Sequence, residues 1–452
     1  MRTKDKIPKR RKVNSTSVLA LGFIAIIFIG TLLLMLPVSS ARGEWTDPLT
    51  AGFTAVSATC VTGLVTVDTG SFFSTFGHTV ILLLIQVGGL GFMTMAVLAA
   101  LLFDKSVTPK DRMLVAASYN LNSSDSVLDL VKSILLGTAV IEGVGALALA
   151  FRFVPQFGWG RGIYVSIFTS VSAFCNAGFD VLGNDFASLT AYVSDPLVNI
   201  TVMLLIITGG IGFIIWRDLY RLVTRKGHLS VYSKLVLSIS AVLLLGGALL
   251  FAVFEWNNPE TIGSLPTAEK IMASLFQSVT LRTAGFCTVD NGALTQNSEI
   301  LGVILMFIGG AAGSTAGGVK VATVGVIFHT VWCVIRGKSE VVIFGRKISQ
   351  DIFTRAVAAF AMQILLIAVG SVLIVAASGL DTVAVVYEVT SAVDTVGISM
   401  GLTPSFGTVP KIILMVLMYI GRVGFFTVSC AVMERFNKRS TSLTYPNANI
   451  IV

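Results

Sequence analysis

The chain has 452 residues, 54% of them hydrophobic and only 12% charged, with a mean hydropathy of +0.85. Soluble domains carry about 25% charged residues, so a water-soluble domain is excluded and a polytopic membrane protein is expected. The net charge of +8 does not point to nucleic acid, because its distribution follows membrane topology.

The chain opens on the basic tail MRTKDKIPKRRK and then the apolar stretch Val13–Ala41. Its apolar core, Ser17 to Val38, exceeds the roughly 7–15 residues of a signal-peptide core, so it is read as a retained first span. Further charge-free stretches run Thr69–Phe103, Pro196–Trp216, Leu235–Phe254, Ile300–Val319 and Ala356–Leu380, and a bilayer needs about 20 apolar residues. Outer spans are expected to centre near residues 27, 142, 243 and 366, and inner spans to cover about 77–103, 196–216, 300–335 and 408–433. With eight spans and both termini cytoplasmic, the N-terminal tail and segments 104–132, 217–234, 336–355 and 435–439 hold 24 of the 32 Lys and Arg residues. Six lie on the other side, and Lys320 and Arg422 fall within spans. That asymmetry is the positive-inside rule. The expected location is the plasma membrane, with some contact to anionic lipid heads.

Four short segments repeat one another: FTAVSATCVTGLVTVD (53–68), FTSVSAFCNAGFDVLG (168–183), FQSVTLRTAGFCTVD (276–290) and YEVTSAVDTVGISMG (387–401). They align on Gly63, Gly178, Gly285 and Gly397, spaced by 115, 107 and 112 residues. A second marker follows in VGGLGF (87–92), TGGIGF (208–213), IGGAAG (308–313) and IGRVGF (420–425), at 26, 32, 25 and 25 residues from the first. In the fourth copy its second glycine is replaced by Arg422. Each unit reads as outer span, short re-entrant segment, inner span. Two spans per unit make the copies parallel, whereas inverted repeats need an odd number.

The expected fold is therefore all-α, with four parallel membrane–pore-loop–membrane repeats around a pseudo-fourfold pore and eight transmembrane helices. Its parts are a cytoplasmic basic tail (1–16), repeats at 17–103, 131–226, 231–347 and 353–439, and a C-terminal tail (440–452). Non-helical backbone at membrane depth is tolerated only where protein buries it or water lines it. Four such segments leave a central path whose carbonyls can replace a monovalent cation's hydration shell. Glycine suits the marker position because it reaches backbone angles closed to other residues. Close helix packing is the alternative use of such glycines. The ion-binding filter is expected at Val61-Thr62-Gly63, Asn176-Ala177-Gly178, Thr283-Ala284-Gly285 and Thr395-Val396-Gly397, with K+ at the glycines.

The run Gly313-Ser-Thr-Ala-Gly-Gly-Val-Lys320 is nearly a phosphate loop, but its lysine is misplaced and it sits mid-membrane rather than between a strand and a helix. Glycine costs up to about 1 kcal/mol in a helix relative to alanine, so Gly309, Gly310, Gly313, Gly317 and Gly318, around Ser314 and Thr315, predict a break. A loop over Gly309–Gly318 would block the path at rest. A mid-membrane charge costs at least about 2.5–3.5 kcal/mol on insertion scales and faces partners. Arg422 is expected to bond the loop's carbonyls or Ser314 and Thr315, the alternative being a pair with a buried carboxylate such as Glu142. Lys320 reaches the cytoplasmic interface or counters the loop.

In these motifs the whole chain resembles the ion-translocating subunit of the Ktr/Trk/HKT superfamily of potassium transporters. The family's VTGL, NAGFD, RTAGF, TVGxSxG and GSTAGG motifs stand here as Val61–Leu64, Asn176–Asp180, Arg282–Phe286, Thr395–Gly401 and Gly313–Gly318. Eight spans resemble the Ktr type more than the Trk type, and glycine at all four markers resembles potassium-selective members rather than plant relatives with a first-repeat serine. Asp394 departs from the pattern, where a small residue is expected, and could alter affinity or sodium coupling. The resemblance implies an intramembrane gating loop at the GSTAGG run, a homodimer, and a cytosolic nucleotide-binding regulatory subunit, an RCK-like ring of dinucleotide-type fold. Loops 104–132 and 336–355, the tip of the third inner helix and the tail TYPNANIIV are candidate contact surfaces.

The expected function is gated, channel-like potassium uptake, with sodium as a possible coupling ion. The alternatives are a sodium/potassium-permeable HKT-like transporter and a secondary transporter of another solute. No enzyme and no cofactor are expected. The five cysteines show no metal spacing, and no nucleophile or acid–base cluster stands out.

Overall fold

The structure, a computed structural model, describes residues 15–91, 127–183, 188–225, 227–338 and 340–424. The basic tail up to residue 14, most of loop 104–132, the far ends of the first and fourth inner spans and the C-terminal tail lie outside the described residues. In chain order the helices are α1 (Ser15–Met35), α2 (Pro48–Cys60), α3 (Thr69–Phe72), α4 (Thr75–Leu90), α5 (Val127–Phe157), α6 (Trp159–Phe174), α7 (Pro196–Gly210) and α8 (Phe213–Val223). They continue with α9 (Val231–Glu255), α10 (Thr267–Thr280), α11 (Gln296–Phe307), α12 (Val321–Ile335), α13 (Gln350–Ser378), α14 (Thr382–Val393) and α15 (Thr408–Val423). A small antiparallel hairpin, β1 (Val342–Ile343) and β2 (Arg346–Lys347), precedes α13.

Local sequence sets the helix starts. Asp47 and Asp195 each stand before a proline, and their carboxylates accept from the two exposed N–H groups that follow. Asp381 does the same for Val383 and Ala384. Such caps satisfy donors that have no partner within the helix, and proline at the first turn loses nothing there.

Among the described residues three helices, within α5, α9 and α13, are long and apolar enough to cross a membrane, and α7 with α8 makes a fourth if counted as one bent span. The stretch 196–216, expected as one span, is instead broken, with α7 and α8 meeting at 101°. Gly212 lies at the break with φ +93°. Gly91, after α4, and Gly424, after α15, occupy the same place two residues beyond the second marker, with φ +79° and +89°. All three combine positive φ with extended ψ, a region open essentially only to glycine. In the third copy Ala312 stands there, and the break widens to the whole stretch between α11 and α12.

Packing runs in a cycle. The short helices α2, α6, α10 and α14 each pack on the long helix before them, α1, α5, α9 and α13. Then α4 packs on α6, α7 on α10, α11 on α14 and α15 on α2. Large apolar side chains such as Phe28, Leu147, Phe151, Leu249 and Val372 point outward, while a wealth of hydroxyls is buried, among them Ser57, Ser172, Thr280 and Ser391. This inverts the usual soluble arrangement and matches lipid as the outer solvent.

The segment after the fourth glycine hangs on one acid. The fully buried carboxylate of Glu388, on α14, accepts from Ser399 Oγ at 2.5 Å, Met400 N at 2.9 Å, Leu402 N at 3.3 Å and Thr403 Oγ1 at 2.6 Å. Hydrogen bonds to charged groups contribute about 1.5–3 kcal/mol each. Replacing Glu388 by Ala is expected to cost roughly 3 kcal/mol or more, read as a lowered Tm of the detergent-solubilised protein, with Glu388→Gln costing less. An unchanged Tm in both would remove Glu388 as the organiser of this segment.

Candidate functional site

After each short helix the chain passes through a residue in the left-handed region, two places before a marker glycine. Val61, Asn176, Thr283 and Thr395 have φ of 57°, 59°, 66° and 51°, and the glycines Gly63, Gly178, Gly285 and Gly397 have φ of 96°, 67°, 83° and 91°. For a β-branched residue a positive φ is a genuine outlier, costing about 1–3 kcal/mol. Three of the four non-glycine residues are β-branched, so the surrounding structure enforces this geometry four times over.

The enforcement comes from the helices themselves. The N–H groups of Thr62, Ala177 and Val396 each bond back to a carbonyl five residues earlier at 2.8 Å, and Ala284 bonds to Thr280 at 3.0 Å. Ser57 Oγ and Ser391 Oγ accept from the N–H of Gly63 and Gly397 at 3.1 and 3.0 Å. Ser172 Oγ and Thr280 Oγ1 donate to the carbonyls of Phe179 and Phe286 at 2.7 and 2.6 Å. With the amides engaged, no hydrogen bond among the described residues ends on the carbonyls of Thr62, Ala177, Ala284 or Val396.

Those four carbonyls and the four glycines close into a ring. A Cβ on Gly63 would stand 2.5 Å from the Ala177 oxygen, one on Gly178 2.9 Å from the Ala284 oxygen, and one on Gly285 2.8 Å from the Val396 oxygen. One on Gly397 would collide with the Thr62 oxygen. The order is thus 63, 178, 285, 397 and back to 63, the order of the chain. All four three-residue segments named from the sequence meet here. Among the described residues the buried side chains of Asn176, Thr283 and Thr395 have no hydrogen-bond partner.

On one side of the ring lies a cavity of about 640 Å³, lined by all four marker glycines together with Asp68, Asp180, Glu260 and Asp290. Acids around a concave mouth raise the local concentration of cations. The four short helices also turn their C-terminal ends toward the ring, and helix C-termini carry about half a negative charge.

One place before the left-handed residues stand Cys60, Cys175, Arg282 and Asp394, the first two and the last fully buried behind the ring and Arg282 half-buried. Three of them reach the preceding long helix. Cys175 Sγ lies 3.5 Å from Gln86 Oε1 and 3.9 Å from Glu142 Oε1, Arg282 donates to Ser240 Oγ at 3.2 Å, and Asp394 accepts from Gln363 Nε2 at 2.7 Å. Sequence reasoning missed Gln86 and Gln363 as braces and assigned Glu142 differently. The available signal was a lone amide or acid inside an otherwise apolar helix.

The glycine-rich segment between α11 and α12 is non-helical, as its composition predicts. Its two ends pair, with Gly309 N donating to the Val319 carbonyl at 3.0 Å and Val321 N to the Gly310 carbonyl at 3.1 Å. Its middle docks on the second copy. Ala311 N and Thr315 N donate to the Gly210 and Gly209 carbonyls at 3.0 and 3.3 Å, Phe213 N donates to the Gly313 carbonyl at 3.0 Å, and Thr315 Oγ1 reaches the Phe174 carbonyl at 3.2 Å. Gly317 packs so tightly on Thr395 that a Cβ would collide with its Oγ1, which sets the loop directly against the ring. Ser314 Oγ caps the tip on the Ala311 carbonyl at 2.7 Å.

Arg422 donates to the Thr315 carbonyl at 2.5 Å, to the Gly88 carbonyl, and to the Gly89 carbonyl at 3.2 Å. The loop contact expected from the sequence is present, and the alternative partner Glu142 instead accepts from Gln86 Nε2 at 3.3 Å. Lys320 Nζ donates to the Ala316 and Gly317 carbonyls at 2.9 and 3.2 Å, so it folds onto the loop. Both charges are satisfied by carbonyl oxygens, as a polar group at this depth requires.

Residues 1–439 match the family model TrkH, cation transport protein. The chain is 41% identical to the Ktr system potassium uptake protein B of Bacillus subtilis, covering 99% of this chain and 98% of that one. It is 38% identical to the potassium/sodium uptake protein NtpJ of Enterococcus hirae, covering 98% of each. The crystal structure of the potassium transporter TrkH from Vibrio parahaemolyticus superposes with a TM-score of 0.72 over 94% of this chain and 87% of that one, at 18% identity, so it shares the fold. The chain belongs to the TrkH family of cation transport proteins.

Proposed function

We propose that this protein takes up potassium across the cell membrane through a channel-like, gated pore, and that the carbonyl ring at Gly63, Gly178, Gly285 and Gly397 is its selectivity filter. The single observation that carries the proposal is the closed ring, in which four register-matched carbonyls each face the glycine of a neighbouring copy. A dehydrated monovalent cation is held by such oxygens without a charged side chain. An inside-negative potential then drives entry with about 2.3 kcal/mol per charge per 100 mV. The printed names of the two bacterial relatives, potassium and potassium/sodium uptake proteins, support the same cargo and leave room for sodium as a coupling ion.

The surrounding architecture we assign is four parallel membrane–pore-loop–membrane repeats, 17–103, 131–226, 231–347 and 353–439, with eight spans about a pseudo-fourfold axis and cytoplasmic termini. The cyclic packing of the helices supports it, and the lysine and arginine distribution supports the orientation. Gly309–Gly318 is the gate, with Ser314 and Thr315 at its tip, and Arg422 and Lys320 hold it beneath the filter. A homodimer of this chain with a cytosolic nucleotide-binding ring completes the system, as the words "Ktr system" in the name of the Bacillus relative suggest. The β1–β2 hairpin lies in the basic segment 336–355, one of the surfaces assigned to that partner.

Three measurements test these assignments. Gly397→Ser or Gly63→Ser should lower potassium-over-sodium selectivity by about tenfold, equal to about 1.4 kcal/mol of differential binding, read as sodium competition against potassium uptake in proteoliposomes. Unchanged selectivity in both would sink the filter. Deleting 312–317 should raise potassium flux at least about tenfold, since about 1.4 kcal/mol of barrier corresponds to that factor; unaltered flux would dismiss the gate. Arg422→Gln should raise resting flux severalfold by releasing the Thr315 carbonyl, and a purely structural arginine would instead show lost assembly with no active fraction.

A further inference from the structure

The residues one place ahead of the ring carbonyls carry polar atoms that the protein itself does not use. Val61, Asn176, Thr283 and Thr395 share one left-handed backbone conformation, so their side chains take matching places in the four copies. The acidic cavity on the far side of the ring is lined by none of them. They lie instead against the glycines of the second marker in their own copies. A Cβ on Gly88 would stand 2.9 Å from Val61 Cγ2, one on Gly210 3.4 Å from Asn176 Nδ2, and one on Gly421 3.4 Å from Thr395 Cγ2. With its methyl so placed, Thr395 turns its hydroxyl to Gly317 of the loop. These side chains therefore form a layer on the loop side of the ring.

Asn176 is 1% exposed and Thr283 and Thr395 are 0% exposed, yet among the described residues both threonine hydroxyls and both amide atoms of Asn176 have no hydrogen-bond partner. A buried polar atom is normally bonded, and leaving one without a partner costs about 1–3 kcal/mol. Three such side chains in one register are ligands for something that comes along the path. Their oxygens are neutral, two hydroxyls and an amide, and Val61 closes the fourth corner with methyl groups. Neutral oxygens suit a monovalent cation, whereas a divalent one takes carboxylates. The nearest acid, Asp394, is held behind the ring by Gln363. The C-terminal ends of the four short helices add negative potential at the same place. The positive groups nearby are committed elsewhere, Arg422 to the Thr315, Gly88 and Gly89 carbonyls and Lys320 to those of Ala316 and Gly317.

We propose that the side-chain oxygens of Asn176, Thr283 and Thr395 form a further cation subsite just inside the carbonyl ring, where potassium rests between the ring and the loop. Its ligands differ in kind from those of the ring, being side-chain oxygens that rotate rather than backbone carbonyls held fixed. Val61 makes the subsite three-sided. It also shows that valine fits this backbone, with φ 57° beside 59°, 66° and 51° in the other copies. Exchanging hydroxyl for methyl here thus alters the ligand set and little else.

The transport arm of the test rests on the ring being the filter; a diffraction arm does not. In the full-length chain in proteoliposomes, Thr283→Val and Thr395→Val should each raise the half-saturating potassium concentration about threefold, equal to about 0.65 kcal/mol of binding. Thr283→Ser and Thr395→Ser keep the oxygen and should leave it unchanged. Val61→Thr supplies a fourth oxygen and should lower it by a similar factor. Since neither threonine hydroxyl bonds to the described protein, the valine variants should keep the Tm of the parent, which a structural role would lower. Independently, crystals of the full chain in rubidium should show an anomalous peak in contact with the three side chains, lost when Thr283 and Thr395 are both replaced by Val. A peak confined to the ring, or half-saturation unmoved by the Val and Thr exchanges, would overturn the subsite; the filter survives that result if Gly63→Ser and Gly397→Ser still lower selectivity. If those glycine variants leave selectivity unchanged, the filter falls, and a rubidium peak at the three side chains keeps the subsite. If the valine variants do not assemble, Val61→Thr and the rubidium peak of the parent decide the matter by the same outcomes.

Discussion

Everything in this structure depends on holding bare carbonyl oxygens in its buried centre. A peptide group taken out of water without a partner costs several kcal/mol, and nothing in hydrocarbon can supply one. The carbonyls of Thr62, Ala177, Ala284 and Val396 are kept in that state by means that can each be named. Their own amides are bonded back into the short helices, the residues ahead of them are forced into the left-handed region, and the glycine of a neighbouring copy leaves room for each oxygen. Strain and desolvation are carried by the scaffold, so under the proposed function an entering ion meets acceptors that need no rearrangement. That is the preorganisation which makes a site selective rather than merely sticky.

Around this shared backbone the four copies carry different chemistry. Directly behind the ring the same register holds two thiols, a guanidinium and a carboxylate. The two charged members sit in the third and fourth copies, the two that frame the loop. The thiol of the second copy lies against Gln86 and Glu142 instead. Fourfold likeness thus belongs to the backbone and its carbonyls. What is asymmetric belongs to the loop and to the side chains that touch it, including Arg422, which replaces a glycine so that it can span from α15 to the loop and to α4.

Much of this was legible in the sequence, and for a physical reason. The marker glycines recur because one backbone geometry must be built four times, and each copy needs the same short helix before it. The break in the third inner helix was legible because five glycines within ten residues cannot hold a helix against their conformational freedom. The bend between α7 and α8 was not, because 196–216 is as apolar as any continuous span. Only Gly212 two places past the marker distinguishes it, and that position acquires meaning once Gly91 and Gly424 are seen to do the same. Side-chain partners were harder still. Gln363 and Asp394 are joined by packing of α13 on α14, and Arg422 reaches Gly88 and Gly89 only because the last copy sits beside the first.

That last adjacency has its own consequence. Three of the four junctions around the ring join copies that follow one another along the polypeptide, but the fourth is a seam made without covalent continuity: Gly397 on Thr62, α15 on α2, and Tyr419 Oη donating to the Ala20 carbonyl at 2.8 Å. During synthesis the first quarter must wait in the bilayer, its polar inner face unsealed, until some three hundred further residues have been inserted. The ring can therefore close only after the last copy has been made, and its seam is held by packing and hydrogen bonds alone.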